Sequence, residues 1–280
     1  MQTRPTRSAL YIPGDKDRAL DKARGLPVDV ILFDLEDAVA PEAKLGARET
    51  LAAALSEGGY GPRMKVVRVN GLDTPWGEDD LSAASKMECD AILVPKVDGP
   101  DDLDAVRERI GTKALRAMME TPRGVLNAAA IAAHSQLQGF VMGTNDLAKD
   151  MGSRSRAALA TALQHCLLAA RAEGIVALDG VYNAFKDEDG LRAECEEGRD
   201  MGFDGKTLIH PAQIGPCNAV FGPSAADIDL ARRQIEAFDA AQAEGKGIAV
   251  VDGKIVENLH IVTARATLAK ADAIAALETT

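Results

Sequence analysis

The sequence has 280 residues, 46% of them hydrophobic and only 4% aromatic, enough for one large aliphatic core or two small ones. A formal charge of −11 excludes a broad nucleic-acid or anionic-membrane surface and leaves a polyanionic small ligand only where basic residues cluster locally. Cys89, Cys166, Cys195 and Cys217 form no C-x-x-C pair, which argues against zinc and for reduced thiols in a cytoplasm, and no apolar run approaches the roughly 20 residues of a membrane span.

Eight short apolar segments follow one another along the chain: residues 9–12, 30–33, 65–69, 91–94, 115–119, 139–142, 175–178 and 207–209. Between them lie alanine- and charge-rich stretches at helical spacing, such as 41–55, 157–172 and 187–201. Eightfold alternation of strand and helix predicts parallel strands closed into an α/β (β/α)8 TIM barrel. An open doubly wound sheet is the runner-up, weakened because no G-x-G-x-x-G follows the first strand. The barrel is expected over residues 1–222. From 223 to 280 the character changes to a C-terminal extension: a helix over 224–244 with Ser224 as N-cap, a hairpin over 248–256 turning at Asp252-Gly253, and a last helix over 260–277. This extension reads as a lid or an arm onto a neighbouring subunit.

In such barrels the chemistry sits at the carboxyl ends of the strands. The residues there are Asp34, Glu36 and Asp37 after the second strand, Arg68 and Asn70 at the third, and Pro95-Lys96 after the fourth. Glu120 follows the fifth, Asn145 and Asp146 the sixth, Asp179 the seventh and His210 the eighth. A ring of carboxylates around one arginine is costly unless something positive sits among them. Glu120 and Asp146 suit a hard divalent cation, since two carboxylates with water and substrate in the remaining positions is the usual magnesium arrangement. Arg68 carries a fork that can grip a carboxylate bidentately, which suits a small oxo- or hydroxy-acid beside the metal; pairing with Asp34 or Glu36 is its scaffold role, and the two can coexist. After the first strand, Arg18 and Lys22 share a helix face and form a local basic cluster able to meet phosphates. His134 and His165 read as packing or surface residues, His210 as a structural hydrogen-bonder, and the Met118-Met119 pair as core.

Together these motifs resemble a known family. Residues 8–14 (SALYIPG), 33–41 (FDLEDAVAP) with Lys44 and Arg48, Arg68-Val69-Asn70-Gly71, Pro95-Lys96, Glu120-Thr121, residues 143–147 (GTNDL) and Ile209-His210-Pro211 are similar to the citrate lyase β-subunit-like group of the HpcH/HpaI aldolase superfamily. That group includes malyl-CoA lyases, malyl-CoA thioesterases and citramalyl-CoA lyases. The resemblance covers essentially the whole chain. It implies a TIM barrel dependent on magnesium (manganese as a substitute), assembled as a homotrimer or homohexamer; the charge and the cysteine pattern add the expectation of a cytoplasmic protein with no nucleic-acid or membrane partner. The implied substrate is an acyl-CoA ester of a hydroxy-dicarboxylic acid. Carried over, Glu120 and Asp146 are the metal ligands, Arg68 binds the oxo-acid carboxylate with Asn145 beside it, Arg18 and Lys22 meet the CoA nucleotide, and Asp37 joins Arg68 among the catalytic groups. The aldolase branch uses a histidine base near its first strands; no histidine of this chain lies there.

One departure bears on the reaction. Residues 252–257 (DGKIVE) resemble the family's C-terminal lid motif, which usually ends in aspartate and supplies the acid/base from an adjacent subunit; here the position is Glu257. The extra methylene moves the carboxylate by roughly 1 Å, a displacement that can cost about 10²-fold in rate. The expected activity is therefore hydrolysis of a 3-hydroxy-dicarboxyl-CoA such as (3S)-malyl-CoA to malate and CoA, or its retro-aldol cleavage to glyoxylate and acetyl-CoA. Citramalyl-CoA or citryl-CoA cleavage is the alternative within the class, and a non-catalytic CoA-binding subunit the alternative outside it.

Overall fold

All eight apolar runs form strands in the computed structural model, which describes residues 4–278. They are β1 (Ser8–Pro13), β2 (Val30–Asp34), β3 (Met64–Arg68), β4 (Ala91–Val94), β5 (Ala114–Met119), β6 (Leu137–Met142), β7 (Val176–Asp179) and β8 (Gly205–Leu208). Each pairs in parallel with the next and β8 pairs back onto β1, so the sheet is a closed (β/α)8 barrel. β2 is buried along its whole length because the barrel interior lies on one face and helices on the other.

The barrel core contains Ala9, Val30, Leu32, Val66, Leu93, Met118, Val141 and Leu178. Side chains alternate along a strand, so the residues two positions on from Ala9, Leu32, Val66 and Met118 continue that inward row at the carboxyl end. They are Tyr11, Asp34, Arg68 and Glu120. The same alternation puts Arg116 inside the barrel below Met118, fully buried, where its Nη2 donates to Met64 Sδ at 2.9 Å and burial pushes its pKa down to about 10.

β8 begins two residues earlier than the hydrophobic pattern predicts. Its Lys206 is buried because the ammonium donates to Asp179 Oδ2 at 2.8 Å and Glu194 Oε1 at 2.6 Å, so a charged residue sits where an apolar one is expected. Gly205 is required at the start of β8: a Cβ there would lie 1.8 Å from the Thr6 carbonyl oxygen.

The described chain divides into two compact units, Thr6–Asn218 and a second made of residues 4–5 and 219–278. In the second, Ser224 caps the helix Ala225–Ala243 reciprocally: its Oγ accepts from Asp227 N at 3.1 Å and its own N–H donates to Asp227 Oδ2 at 2.9 Å. β9 (Ala249–Val251) and β10 (Lys254–Val256) form the hairpin, with positive φ at Asp252 (50°) and Gly253 (75°), and Asn258–Glu278 forms the last helix. Phe238, Ala249, Val256 and Ile261 make this unit's small core, while Val250, Ile255, Leu259 and Val262 are apolar and exposed. Among the described residues no helix is long and apolar enough to cross a membrane.

Candidate active site

Asp34 and Arg68 are register partners at the ends of β2 and β3, which brings their side chains together at the barrel mouth. Arg68 Nε donates to Asp34 Oδ1 at 2.7 Å and Nη2 to Oδ2 at 2.6 Å. The third nitrogen, Nη1, lies 2.8 Å from Glu36 Oε2 and 3.5 Å from Asp37 Oδ2. The expectation that this fork grips a substrate carboxylate bidentately is thereby revised: Asp34 takes the fork, and the Nη1 edge faces outward between Glu36 and Asp37. Tyr11 supports the guanidinium from below, its ring centroid 4.8 Å from Arg68 Cζ. Burial works to lower the Arg68 pKa, but Asp34 above all holds it well above its usual value, so the cation is permanent. Glu36 is the opposite case. Burial raises it to about 7 against the opposing charge of Arg68, and the neighbouring carboxylates of Asp37 and Asp34 add to the rise.

The other half of the mouth comes from β5 and β6. Glu120 is 2% exposed, and its Oε1 accepts the backbone N–H of Lys96 at 2.8 Å. Burial raises the Glu120 pKa; the Lys96 N–H and Arg68 oppose this, and Asp146 adds to it. Past β6, a Cβ on Gly143 would sit 2.4 Å from both Glu120 Cβ and Oε2, so only glycine lets the helix Thr144–Met151 start against this carboxylate. That helix presents Asn145 and Asp146. Asn145 exchanges hydrogen bonds with Asn183, donating at 3.3 Å and accepting at 2.8 Å, and Asp146 Oδ1 is 3.4 Å from Lys149 Nζ.

Glu120, Asp146, Arg68, Asp37, Asn145 and Tyr11 all line one cavity of about 300 Å³. Two hard carboxylates on one cavity, one of them held by a backbone N–H and packed against Gly143, fit a magnesium ion that takes its remaining ligands from water and substrate. No cluster of three or more His, Cys, Asp or Glu able to hold a metal occurs among the described residues.

Three expected site residues lie elsewhere. Arg18 and Lys22 are exposed on the helix Asp17–Ala23 and do not line the cavity. Glu257 belongs to the second unit, where it is exposed and its N–H donates to His260 Nδ1 at 3.0 Å. Asp179, counted among the strand-end residues of the mouth, is not in it. It is fully buried, and its carboxylate accepts from Arg156 Nη1 and Nη2 at 3.0 and 2.9 Å and from Lys206. His210 is structural as expected: its Nδ1 accepts from Ala212 N at 3.2 Å and its ring rests on Phe185, with centroids 4.7 Å apart. Sequence reasoning missed Tyr11, though its place two residues beyond Ala9 on β1 carried the signal.

Residues 7–211 match the HpcH/HpaI aldolase/citrate lyase family. The chain belongs to that family. It is 63% identical over 278 residues to a (3S)-malyl-CoA thioesterase of Cereibacter sphaeroides (strain KD131 / KCTC 12085), covering 98% of each chain. An L-malyl-CoA/beta-methylmalyl-CoA lyase of Cereibacter sphaeroides (strain ATCC 17029 / ATH 2.4.9) is 33% identical, covering 98% of this chain and 96% of the lyase. Among solved structures, the CitE protein of Mycobacterium tuberculosis in complex with magnesium, acetoacetate and coenzyme A superposes with a TM-score of 0.81 at 28% identity, over 97% of this chain and 100% of the other. The citrate lyase family resemblance read from the motifs is thus borne out along the chain.

Proposed function

We propose that this member of the HpcH/HpaI family is a magnesium-dependent thioesterase that hydrolyses (3S)-malyl-CoA to malate and CoA. The observation that carries the reading is the convergence of Glu120, Asp146 and the permanently charged Arg68 on one cavity, in a chain 63% identical to a (3S)-malyl-CoA thioesterase along nearly its whole length. Glu120 and Asp146 would hold the ion, whose charge, when bound, polarises the acid's carboxylate and hydroxyl oxygens. The free carboxylate of the malyl group meets the Nη1 edge of Arg68, and Asn145 donates to the acid once its exchange with Asn183 opens. Asp37, with its side chain 63% exposed at the mouth, takes the proton of the attacking water.

Arg18 and Lys22, exposed and four residues apart on one helix, supply charge for the CoA phosphates. Glu257 would serve from a neighbouring copy. Its position among the exposed apolar residues Ile255, Leu259 and Val262 supports a homotrimer or homohexamer in which this face is covered. Four free cysteines accord with a cytoplasmic location.

The second reading, retro-aldol cleavage to glyoxylate and acetyl-CoA, is favoured by the 33% identical malyl-CoA lyase; it breaks a carbon–carbon bond, leaves the thioester intact and ends with protonation of the acetyl-CoA enolate. It needs Glu257 to reach the enolate carbon. Incubation with (3S)-malyl-CoA and magnesium, following free thiol and glyoxylate separately, distinguishes them. Thiol release with malate and little glyoxylate supports hydrolysis. Glyoxylate and acetyl-CoA in equal amounts, without thiol, make the protein a lyase, and no turnover of either kind leaves a CoA-binding subunit.

A further inference from the structure

Lys96 follows β4 and, with Asp252 of the hairpin turn, is one of two described non-glycine residues with positive φ, at 48°. A lysine in this left-handed region is strained in a way that glycine is not. The conformation has a backbone purpose, since it aims the Lys96 N–H at Glu120 Oε1. Glycine would serve that purpose with less strain, so the backbone does not explain why a lysine stands here. Packing does not explain it either, because the side chain is 56% exposed.

What the side chain does is place a cation beside Glu36, with which it lines a second cavity at the strand ends. Its Nζ lies 3.7 Å from Glu36 Oε1, while Glu36 Oε2 lies 2.8 Å from Arg68 Nη1, so one carboxylate separates the two positive charges. A malyl group held at Arg68 by its free carboxylate carries the thioester carbonyl three carbon–carbon bonds away, roughly 4 Å at about 1.5 Å per bond. The ammonium, beside Glu36 on its flexible four-carbon stem, can move over that length to meet the carbonyl oxygen.

We propose that Lys96 is a catalytic residue for thioester hydrolysis, its ammonium binding the thioester carbonyl oxygen and stabilising the oxyanion formed when water attacks. The inference rests on the thioesterase reading. The water oxygen bonds to the thioester carbon while its proton passes to Asp37, and the carbonyl electron pair moves onto the oxygen beside Lys96. The pair then returns, the carbon–sulfur bond breaks, and CoA leaves as a thiolate that takes the proton from Asp37. Malyl-CoA and water thus become malate and CoA.

The test compares Lys96→Gly and Lys96→Met with the unaltered full-length protein, using malyl-CoA and magnesium. Lys96→Gly should melt no lower than the parent, because strain is relieved and the N–H to Glu120 remains. Both variants should lose about 10²–10³-fold in kcat, as removal of an oxyanion donor does, with KM moved less than about threefold. Lys96→Met keeps the backbone and the stem and carries the test even if the glycine variant misfolds. A kcat retained in a folded variant overturns the proposal, as does a raised KM at unchanged kcat, which would put the ammonium on the CoA arm instead. Absence of thiol release by the parent protein would instead defeat the thioesterase reading.

Discussion

Asp34 accepts both fork nitrogens of Arg68, at 2.7 and 2.6 Å, with side chains that are 1% and 8% exposed. This pair is the platform on which the mouth is built. Its geometry leaves the guanidinium fixed and charged, with only the Nη1 edge available beside Glu36 and Asp37.

Asp34→Asn removes the carboxylate that holds the fork and leaves the buried cation to Glu36 and the exposed Asp37, so unfolding stability should drop by up to about 3–5 kcal/mol. Arg68→Lys keeps a charge but loses the fork, and its kcat/KM for malyl-CoA should fall about 10²-fold or more through misplacement of the acid. Urea denaturation and steady-state kinetics check the two in turn. Wild-type values for either variant would mean that the pairing is dispensable.

Glu36 makes stability depend on pH. Burial raises it from 4.5 to about 7, so the folded protein binds this proton more tightly than the unfolded chain does. The resulting stabilisation is present in full below about 4.5 and is lost as pH rises through about 7. In chelator, the melting temperature of the parent protein should therefore fall relative to that of Glu36→Gln between these limits and level off above them. Parallel curves would show that Glu36 titrates normally.

Asp179 and Lys206 are fully buried and joined at 2.8 Å, with Arg156 on the same carboxylate. Lys206→Met should cost about 3–5 kcal/mol of stability, since it leaves Asp179 with an incomplete set of partners, while kcat of the folded fraction stays unchanged. A loss of kcat at full stability would return Asp179 to the catalytic site.

Glu120 and Asp179 show where the sequence was legible and where it was not. Glu120 and Asp34 could be placed because each stands two residues beyond a core residue, Met118 or Leu32, on the inward row. Asp179 follows Leu178 by one residue and so faces away from the barrel interior; its position at a strand end looked the same as that of Glu120 until the inward row was known. Lys206 hid for a related reason, since its partners Asp179 and Glu194 are distant in sequence and only the fold makes the site apolar enough to need them. Arg68 stood out as the lone arginine among strand-end acids, but its commitment to Asp34 depends on the β2–β3 register. The strain at Lys96 is a backbone property that residue identity did not announce.

Glu257→Asp shortens the carboxylate by one methylene, toward the lid motif that this family resemblance implies for carbon–carbon cleavage. The ratio of glyoxylate to free thiol should rise, by up to about 10²-fold if position alone limits the lyase step. An unchanged ratio would remove Glu257 from the choice between hydrolysis and cleavage.

The central claim, that Glu120 and Asp146 share one divalent ion, is tested most directly by calorimetric titration of magnesium, or manganese, into the parent protein, Glu120→Gln and Asp146→Asn. The parent should bind one ion per chain. Each variant should lose more than the ~10–100-fold that removing a mere supporting hydrogen bond to a metal ligand costs, and lose magnesium-dependent thiol release with it. Wild-type affinity in either variant would contradict the account.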